Sequence, residues 1–290
     1  MNLNSILARE IAISLAKNQQ GNAILNLISL ILRKGNLMRI DTVIFDMGGT
    51  IEDIYYDKET RFEATKQILG YLKEVGVDLK LSPEDFFAIV LEGMAKYKQW
   101  AEKTFIEAHP TVIWHDWILK DFYIPIEKIA RVSEQIAFTW ETVGIVRNIR
   151  SKAKQTLKEL KDRGYKLGII SNTQSFTQVF YSLYRYGIRD FFEYISLSSI
   201  EGIRKPDRKI FDKAVKEMNT VSGRAVYIGD TIKKDIIGSK AAGFAIAAQI
   251  RSFSTDKNDA DIDKEKYKPD YLLTNLIEIV NILDKLNNDN

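Results

Sequence analysis

Two stretches of the chain end an apolar, β-branched run on an aspartate close to glycine. Thr42-Val43-Ile44-Phe45 stops at Asp46 with Gly48-Gly49 just beyond, and Tyr227-Ile228-Gly229 stops at Asp230 with Asp235 five residues further on. Such runs are how buried parallel strands deliver carboxylates to the rim of an α/β sheet. Two rims so far apart in sequence predict one acidic site able to hold a cation. Cysteine is absent, and the two histidines, His109 and His115, fall in one short segment. This excludes disulfides, thiol nucleophiles and thiolate-bound zinc, and leaves a histidine triad little to work with. Carboxylates, lysines and tyrosines must then carry the acid–base chemistry.

The elements that would position these residues follow from the order of patterns. From Arg39, a strand at 42–46 leads through Gly48-Gly49 into a polar stretch ending near Asp57. Helical periodicity then runs from about Lys58 to Glu141, with Ser82-Pro83-Glu84-Asp85 as a helix start and Pro110 and Pro125 as breaks, which predicts four helices. After Gly144 helices and strands alternate: helix 150–163, strand 166–171, helix 175–186, strand 192–196, helix 207–218, strand 224–229, helix 232–242 and strand 244–249. Asp270-Tyr271-Leu272-Leu273 adds a last strand before a terminal helix. Strands separated by helices of this length imply right-handed crossovers and an α/β, doubly wound parallel sheet. The helical block at 58–144 is inserted into that domain, which takes 39–57 and 145–290. It holds all four tryptophans, Trp100, Trp114, Trp117 and Trp140, which at helical spacing read as core, and both histidines read as structural.

Residues 1–38 stand apart as an N-terminal helical extension. Its longest nearly apolar stretch, Ala23 to Leu32, contains Asn26 and Ser29 and is too short to span a bilayer. No basic leader precedes it, so no secretory signal is expected. The extension reads as an appendage on the domain, as an upstream start before Met38, or as a dimerising or membrane-surface helix. With 45% hydrophobic and 28% charged residues the whole reads as an ordinary globular protein. A net charge of +3 from 42 basic and 39 acidic side chains demands neither nucleic acid nor an anionic membrane, and no stable membrane insertion is expected. A cytoplasmic home is the default for a chain without cysteine.

Four motifs now carry a resemblance. Asp46-Met47-Gly48-Gly49-Thr50, Ile170-Ser171-Asn172, Lys205-Pro206-Asp207 and Gly229-Asp230 with Asp235 resemble, in order and spacing, the signatures of the haloacid dehalogenase (HAD) superfamily of hydrolases. The match runs from Arg39 to about Asn275. It implies a Rossmann-like core with an α-helical cap, the block at 58–144, and a small phosphorylated molecule as substrate. It implies Mg²⁺ as cofactor, held by Asp46, Asp230 and the Gly48 carbonyl, with Asp235 ligating directly or through water. Asp46 would be the nucleophile that forms an aspartyl-phosphate. Lys205 would neutralise the transferring group, while Ser171, Asn172, Gly49 and Thr50 would bind phosphate. A homodimer through the extension or the cap is an expected assembly.

The chain departs from the family's phosphatases at Gly48, where they carry a second aspartate as general acid and base. Glycine keeps a backbone carbonyl for the metal but transfers no proton. Asp53 matches an acidic position that organises the flap after the first motif, and Glu52 is a substitute acid to consider. Dehalogenases and phosphonate hydrolases of the superfamily also lack that aspartate. The first would need a cap arginine, with Arg61 the nearest, and the second a Schiff-base lysine, with Lys96 the candidate. A catalytically weak or non-enzymatic binder of the same fold is a further alternative. Asp46 to Thr50 alone also resembles the first phosphate loop of actin-like sugar kinases, but the second loop those enzymes need is missing.

Overall fold

The computed structural model describes residues 39–288. Residues 40–286 form one contact unit, and residues 1–39 with 287–290 fall in another. The extension at 1–38, with the dimer or membrane-surface role expected of it, lies outside the described residues.

The strands, in chain order, are Thr42–Phe45 (β1), Glu52–Tyr55 (β2), Val146–Ile149 (β3), Lys166–Ser171 (β4), Tyr194–Leu197 (β5), Ala225–Gly229 (β6), Ile246–Ile250 (β7) and Tyr271–Leu273 (β8). Six of them form one sheet in the order β5-β4-β1-β6-β7-β8. Every neighbouring pair in it is parallel. The chain builds outward from β1 through β4 to β5, then returns to the other side of β1 with β6. A crevice opens at such a reversal, outside the carboxyl ends of the strands. Asp46, Ser171 and Asp230 all stand there.

Strand alternation explains why the runs are apolar throughout. Val43 and Phe45 face one core, shared with Leu157 and Leu160 of Ala153–Asp162, Val179 and Leu183 of Gln178–Arg185, and Leu283 of Glu278–Asn288. Ile44 faces the opposite core, with Ile170, Tyr227 and Ile210, Phe211 and Ala214 of Arg208–Glu217. The sheet is thus covered on both faces.

Between β2 and β3 lies the helical block, built on Lys58–Glu74 (α1), Pro83–Thr104 (α2) and Ser133–Thr142 (α3). Asp57 caps α1 in a capping box with Thr60, and Ser82 Oγ accepts from Asp85 N at the start of α2, with Pro83 in the first turn. The block has its own apolar cluster, including Ile68, Leu72, Val90, Trp114 and Trp140, with Trp100 and Trp117 packed against it. Instead of four regular helices there are three long ones, and the stretch between Pro110 and Ala130 is broken into short turns, one of them the π-helical Ile113–Ile118. The prolines at 110 and 125 start short helical turns that tertiary packing does not extend.

Sequence patterns also missed an antiparallel pair. β2 and β3 join Glu52 to Ile149 and Asp53 to Asn148 at the two ends of the helical block. Among the described residues no helix is long and apolar enough to cross a membrane.

Candidate active site

Asp46 follows β1 directly, and its N–H donates to the Ile228 carbonyl of β6 (2.8 Å), which pins the strand tip. Asp230 follows β6, and Asp235 comes one helical turn later. One carboxylate oxygen from each of the three lies within 4.8 Å of the others, and all three residues are buried. Glycines make this approach feasible: a Cβ on Gly49, whose φ is +90°, would collide with the Asp230 carboxylate, and one on Gly229 would collide with Asp235.

Lys205 sits at the centre of this cluster. Its Nζ donates to Asp46 Oδ1 (2.6 Å), Asp235 Oδ1 (2.7 Å) and Tyr227 Oη (2.9 Å). Burial opposes its charge, but Asp235 and Asp46 outweigh that and hold its pKa above the ordinary value. Asp235 is pulled below the usual carboxylate range. Burial works against this, but Lys205 outweighs it, aided by Thr231, whose N and Oγ1 bond Asp235 Oδ2 at 3.0 and 2.7 Å. Asp230 goes the other way, pushed up to about 7 by burial and then by the charges of Asp46 and Asp235. Its Oδ2 accepts from Ser252 (2.5 Å), and among the described residues Oδ1 accepts no hydrogen bond. Burial likewise raises the pKa of Asp46, against Lys205.

This donor set fits a hard divalent cation: three carboxylates and no sulfur or imidazole. Crowded negative charge is what such an ion would relieve. Gly48 lines the same cleft, and the turn's hydrogen bonds, Glu52 N to Met47 O and Gly49 N to Glu52 O, leave its carbonyl free.

The remaining expected residues divide. Ser171 ends β4 and lines the cleft, with no hydrogen bond to its hydroxyl among the described residues. Asn172 also lines it, but its amide clamps the Lys205 backbone: Oδ1 accepts from Lys205 N (2.9 Å) and Nδ2 donates to Lys205 O (3.0 Å). Its visible work is to aim the lysine. Gly49 and Thr50 are not among the cleft-lining residues. Their N–H groups are spent inside the turn, on the Glu52 and Met47 carbonyls. Arg150 fastens that turn from outside, bonding the Thr50 and Gly49 carbonyls (2.9 and 2.7 Å) and pairing with Asp53 (3.1 Å). His109 and His115 are bonded locally to Thr111 N and to Asp116 and the Ile124 carbonyl, outside the cleft. Lys96 is exposed, paired with Glu92 and outside the cleft.

Sequence reasoning missed Arg147 and Glu141. Arg147 stands on β3, and its Nη1 lies 3.2 Å from where a Cβ on Gly48 would be. A guanidinium therefore occupies the neighbourhood in which a carboxylate at position 48 would stand. Arg147 Nη1 donates to Glu52 (2.8 Å) and Nη2 to Glu141 (2.6 Å). Burial opposes its charge, but the two glutamates raise its pKa, so it stays a cation. Glu52 is fully buried, accepts also from Tyr186 Oη (3.0 Å) and lies outside the cleft, so it is no proton donor to a ligand there. No residue spacing flags Arg147, because β3 pairs only with β2.

A family model, haloacid dehalogenase-like hydrolase, matches residues 40–243. The chain belongs to the haloacid dehalogenase-like hydrolase family. It is 26% identical to the glyceraldehyde 3-phosphate phosphatase of Methanopyrus kandleri over 86% of this chain and 100% of that one. It is 34% identical to the glyceraldehyde 3-phosphate phosphatase of Pyrococcus furiosus over 47% of this chain, a match that spans about half (54%) of the relative. Among solved structures, a HAD phosphatase from Thermococcus onnurineus superposes with a TM-score of 0.52 at 21% identity, covering 84% of this chain and 98% of that one, which shows a shared fold. Asp46 and Gly48 stand in the first of the motifs that carried the resemblance to this family, and Arg147 stands beside Gly48.

Proposed function

We propose that this hydrolase is a magnesium-dependent phosphatase of small phosphorylated metabolites that works through an aspartyl-phosphate on Asp46, with the block at 58–144 as its cap. The observation that carries the reading is Asp46 itself: a carboxylate on a strand tip, held by Lys205 within 4.8 Å of two more carboxylates, in a cleft of about 240 Å³. Asp46, Asp230 and the Gly48 carbonyl would hold the ion, with Asp235, whose oxygens are engaged by Lys205 and Thr231, reached through water. When bound, magnesium neutralises and orients the phosphoryl group. The Asp46 carboxylate attacks phosphorus as the bond to the leaving oxygen breaks, and water then cleaves the acyl-phosphate. Lys205 keeps the nucleophile aimed, while Ser171 offers its hydroxyl to a phosphoryl oxygen.

Arg147 changes the expected substrate. It can stabilise developing charge near position 48 but gives up no proton at any physiological pH. Acyl phosphates and esters of acidic alcohols, whose leaving groups need little protonation, are therefore favoured. Lys96, the lysine expected for the phosphonatase alternative, lies outside the cleft and pairs with Glu92. Turnover of acetyl phosphate and p-nitrophenyl phosphate with magnesium, lost in EDTA and restored by adding the ion, is the expected result. Equal turnover in EDTA would rule the reading out.

A further inference from the structure

Beside the catalytic cleft lies a second compartment of about 310 Å³ that shares Tyr56, Arg61, Lys98, Glu141 and Asn172 with it. Its wall also takes Arg204 and Gln174. Both of its carboxylates are already engaged. Glu141 is paired with Arg147, and Glu107 accepts from Tyr97, from Ser198 (2.7 Å) and from Arg204 (3.3 Å). The cations are less well matched. Arg61, from the first turn of α1, donates Nη1 to the Trp140 carbonyl (3.0 Å), and its guanidinium lies over the rings of Trp140 (4.1 Å) and Tyr56 (5.0 Å). No ion pair and no second hydrogen bond reaches it among the described residues. A guanidinium has five N–H donors, so most of this one's capacity is unspent. Burial lowers its pKa to about 10, which leaves it charged at neutral pH. Among the described residues Lys98 pairs only with Glu102, at 3.6 Å.

A second observation points to the same compartment. Among the described residues Gln174 Oε1 is buried with no hydrogen-bond partner, and the amide's one hydrogen bond is from Nε2 to Met94 Sδ at 3.5 Å. A buried polar atom left unmet destabilises the free protein, and a bound polar group would remove that cost. Two aromatic faces also fix the guanidinium plane, so it is arranged in advance for a planar or tetrahedral anion.

We propose that this compartment binds a second anionic group, a carboxylate or phosphate on the leaving-group side of the substrate, through Arg61 and Lys98, with Gln174 bonding a neighbouring polar group. The substrate class is then a small phosphate ester with an anion at both ends. The inference rests on the phosphatase reading for turnover, while the binding itself does not require catalysis. A neutral tail would leave Arg61 and Gln174 unmet.

A matched three-carbon series tests this: propyl phosphate, 3-(phosphonooxy)propanoate and 1,3-propanediol bisphosphate. Turnover is measured with wild type and magnesium, and binding by calorimetry to Asp46→Asn, each with and without Arg61→Met. One charged hydrogen-bonded contact is worth about tenfold to a hundredfold. The two-anion ligands should exceed propyl phosphate by that factor in both assays, and Arg61→Met should bring the ratio close to one, whatever the absolute rate. Gln174→Leu, which leaves the cations alone, should reduce the affinity of the preferred ligand by a smaller factor. A carboxylate preference against a bisphosphate preference decides which anion is used. Turnover of all three esters with ratios within twofold would overturn this inference and leave the phosphatase reading standing. An Arg61-dependent binding preference with no magnesium-dependent turnover of these esters, of acetyl phosphate or of p-nitrophenyl phosphate would do the reverse. Equal binding of all three ligands to folded Asp46→Asn would also overturn it.

Discussion

In the proposed reaction, Gly48 is the residue on which the chemistry turns. Its φ lies outside the left-handed region, so a side chain is allowed there, but Arg147 Nη1 waits 3.2 Å from the new Cβ. An aspartate introduced at 48 would pair with that guanidinium and stay ionised, a poor general acid. Unhindered acid–base assistance is worth ~10²–10⁴-fold. We therefore expect Gly48→Asp to raise turnover of alkyl phosphates less than about tenfold over acyl phosphates. A selective hundredfold gain would show that Arg147 does not control the new carboxylate. The proposed metal ligands are ranked by the same local argument. Asp230 keeps an oxygen free of hydrogen bonds, whereas both oxygens of Asp235 are occupied by Lys205, Tyr227 and Thr231. Asp230→Ala should weaken divalent-ion binding more than Asp235→Ala in calorimetric titration, and the opposite order would refute this assignment. Asp46 and Asp230 were legible in the sequence because each ends an apolar run, whereas Lys205 was read through the motif resemblance and Asp235 through its place five residues after Asp230. Arg147 was not, because its meaning comes from a partner nearly a hundred residues away.

At the level of elements, one contact ties the helical block to the loop that follows β4. Glu134 of α3 accepts from Ser175 Oγ (2.6 Å), Phe176 N (2.9 Å), Thr177 N (3.1 Å) and Thr177 Oγ1 (2.7 Å). These donors precede the helix Gln178–Arg185, so the carboxylate also complements its N-terminal dipole. Hydrogen bonds to a charged group contribute about 1.5–3 kcal/mol where solvent does not replace them. Glu134→Ala should lower the unfolding free energy by about 2–3 kcal/mol in urea, with Glu134→Gln intermediate. An unchanged urea midpoint would mean that water takes over all four bonds. The parallel, doubly wound sheet was readable because helices alternating with strands imply parallel crossovers. β2 and β3 were not, since four-residue strands that pair across the whole inserted block leave no local period. The π-helical turn at Ile113–Ile118 was hidden for a similar reason: it is set by packing around Trp114, not by propensity.

At the scale of the whole molecule, the doubly wound sheet brings together residues that the chain separates by up to 189 positions, Asp46 and Asp235, at the one place where strand order reverses. The fold gathers the acids, and the helical block supplies Arg61 and Lys98 to the second compartment. Family membership follows from the first of these and was visible in the motifs. The second is a property of three-dimensional packing, and the spacing of Arg61, Lys98 and Gln174 in sequence gives no hint of it. On the proposed reading, the whole arrangement makes Asp46 a nucleophile toward phosphorus. The direct test is to mix the protein with acetyl phosphate and magnesium, quench in acid and map phosphorylated peptides by mass spectrometry. A phosphoryl group on Asp46 is predicted, absent without divalent ion, with Asp46→Asn folded but slower by on the order of 10⁴-fold or more. Undiminished magnesium-dependent hydrolysis by Asp46→Asn, with no label on Asp46 in the wild type, would contradict the account.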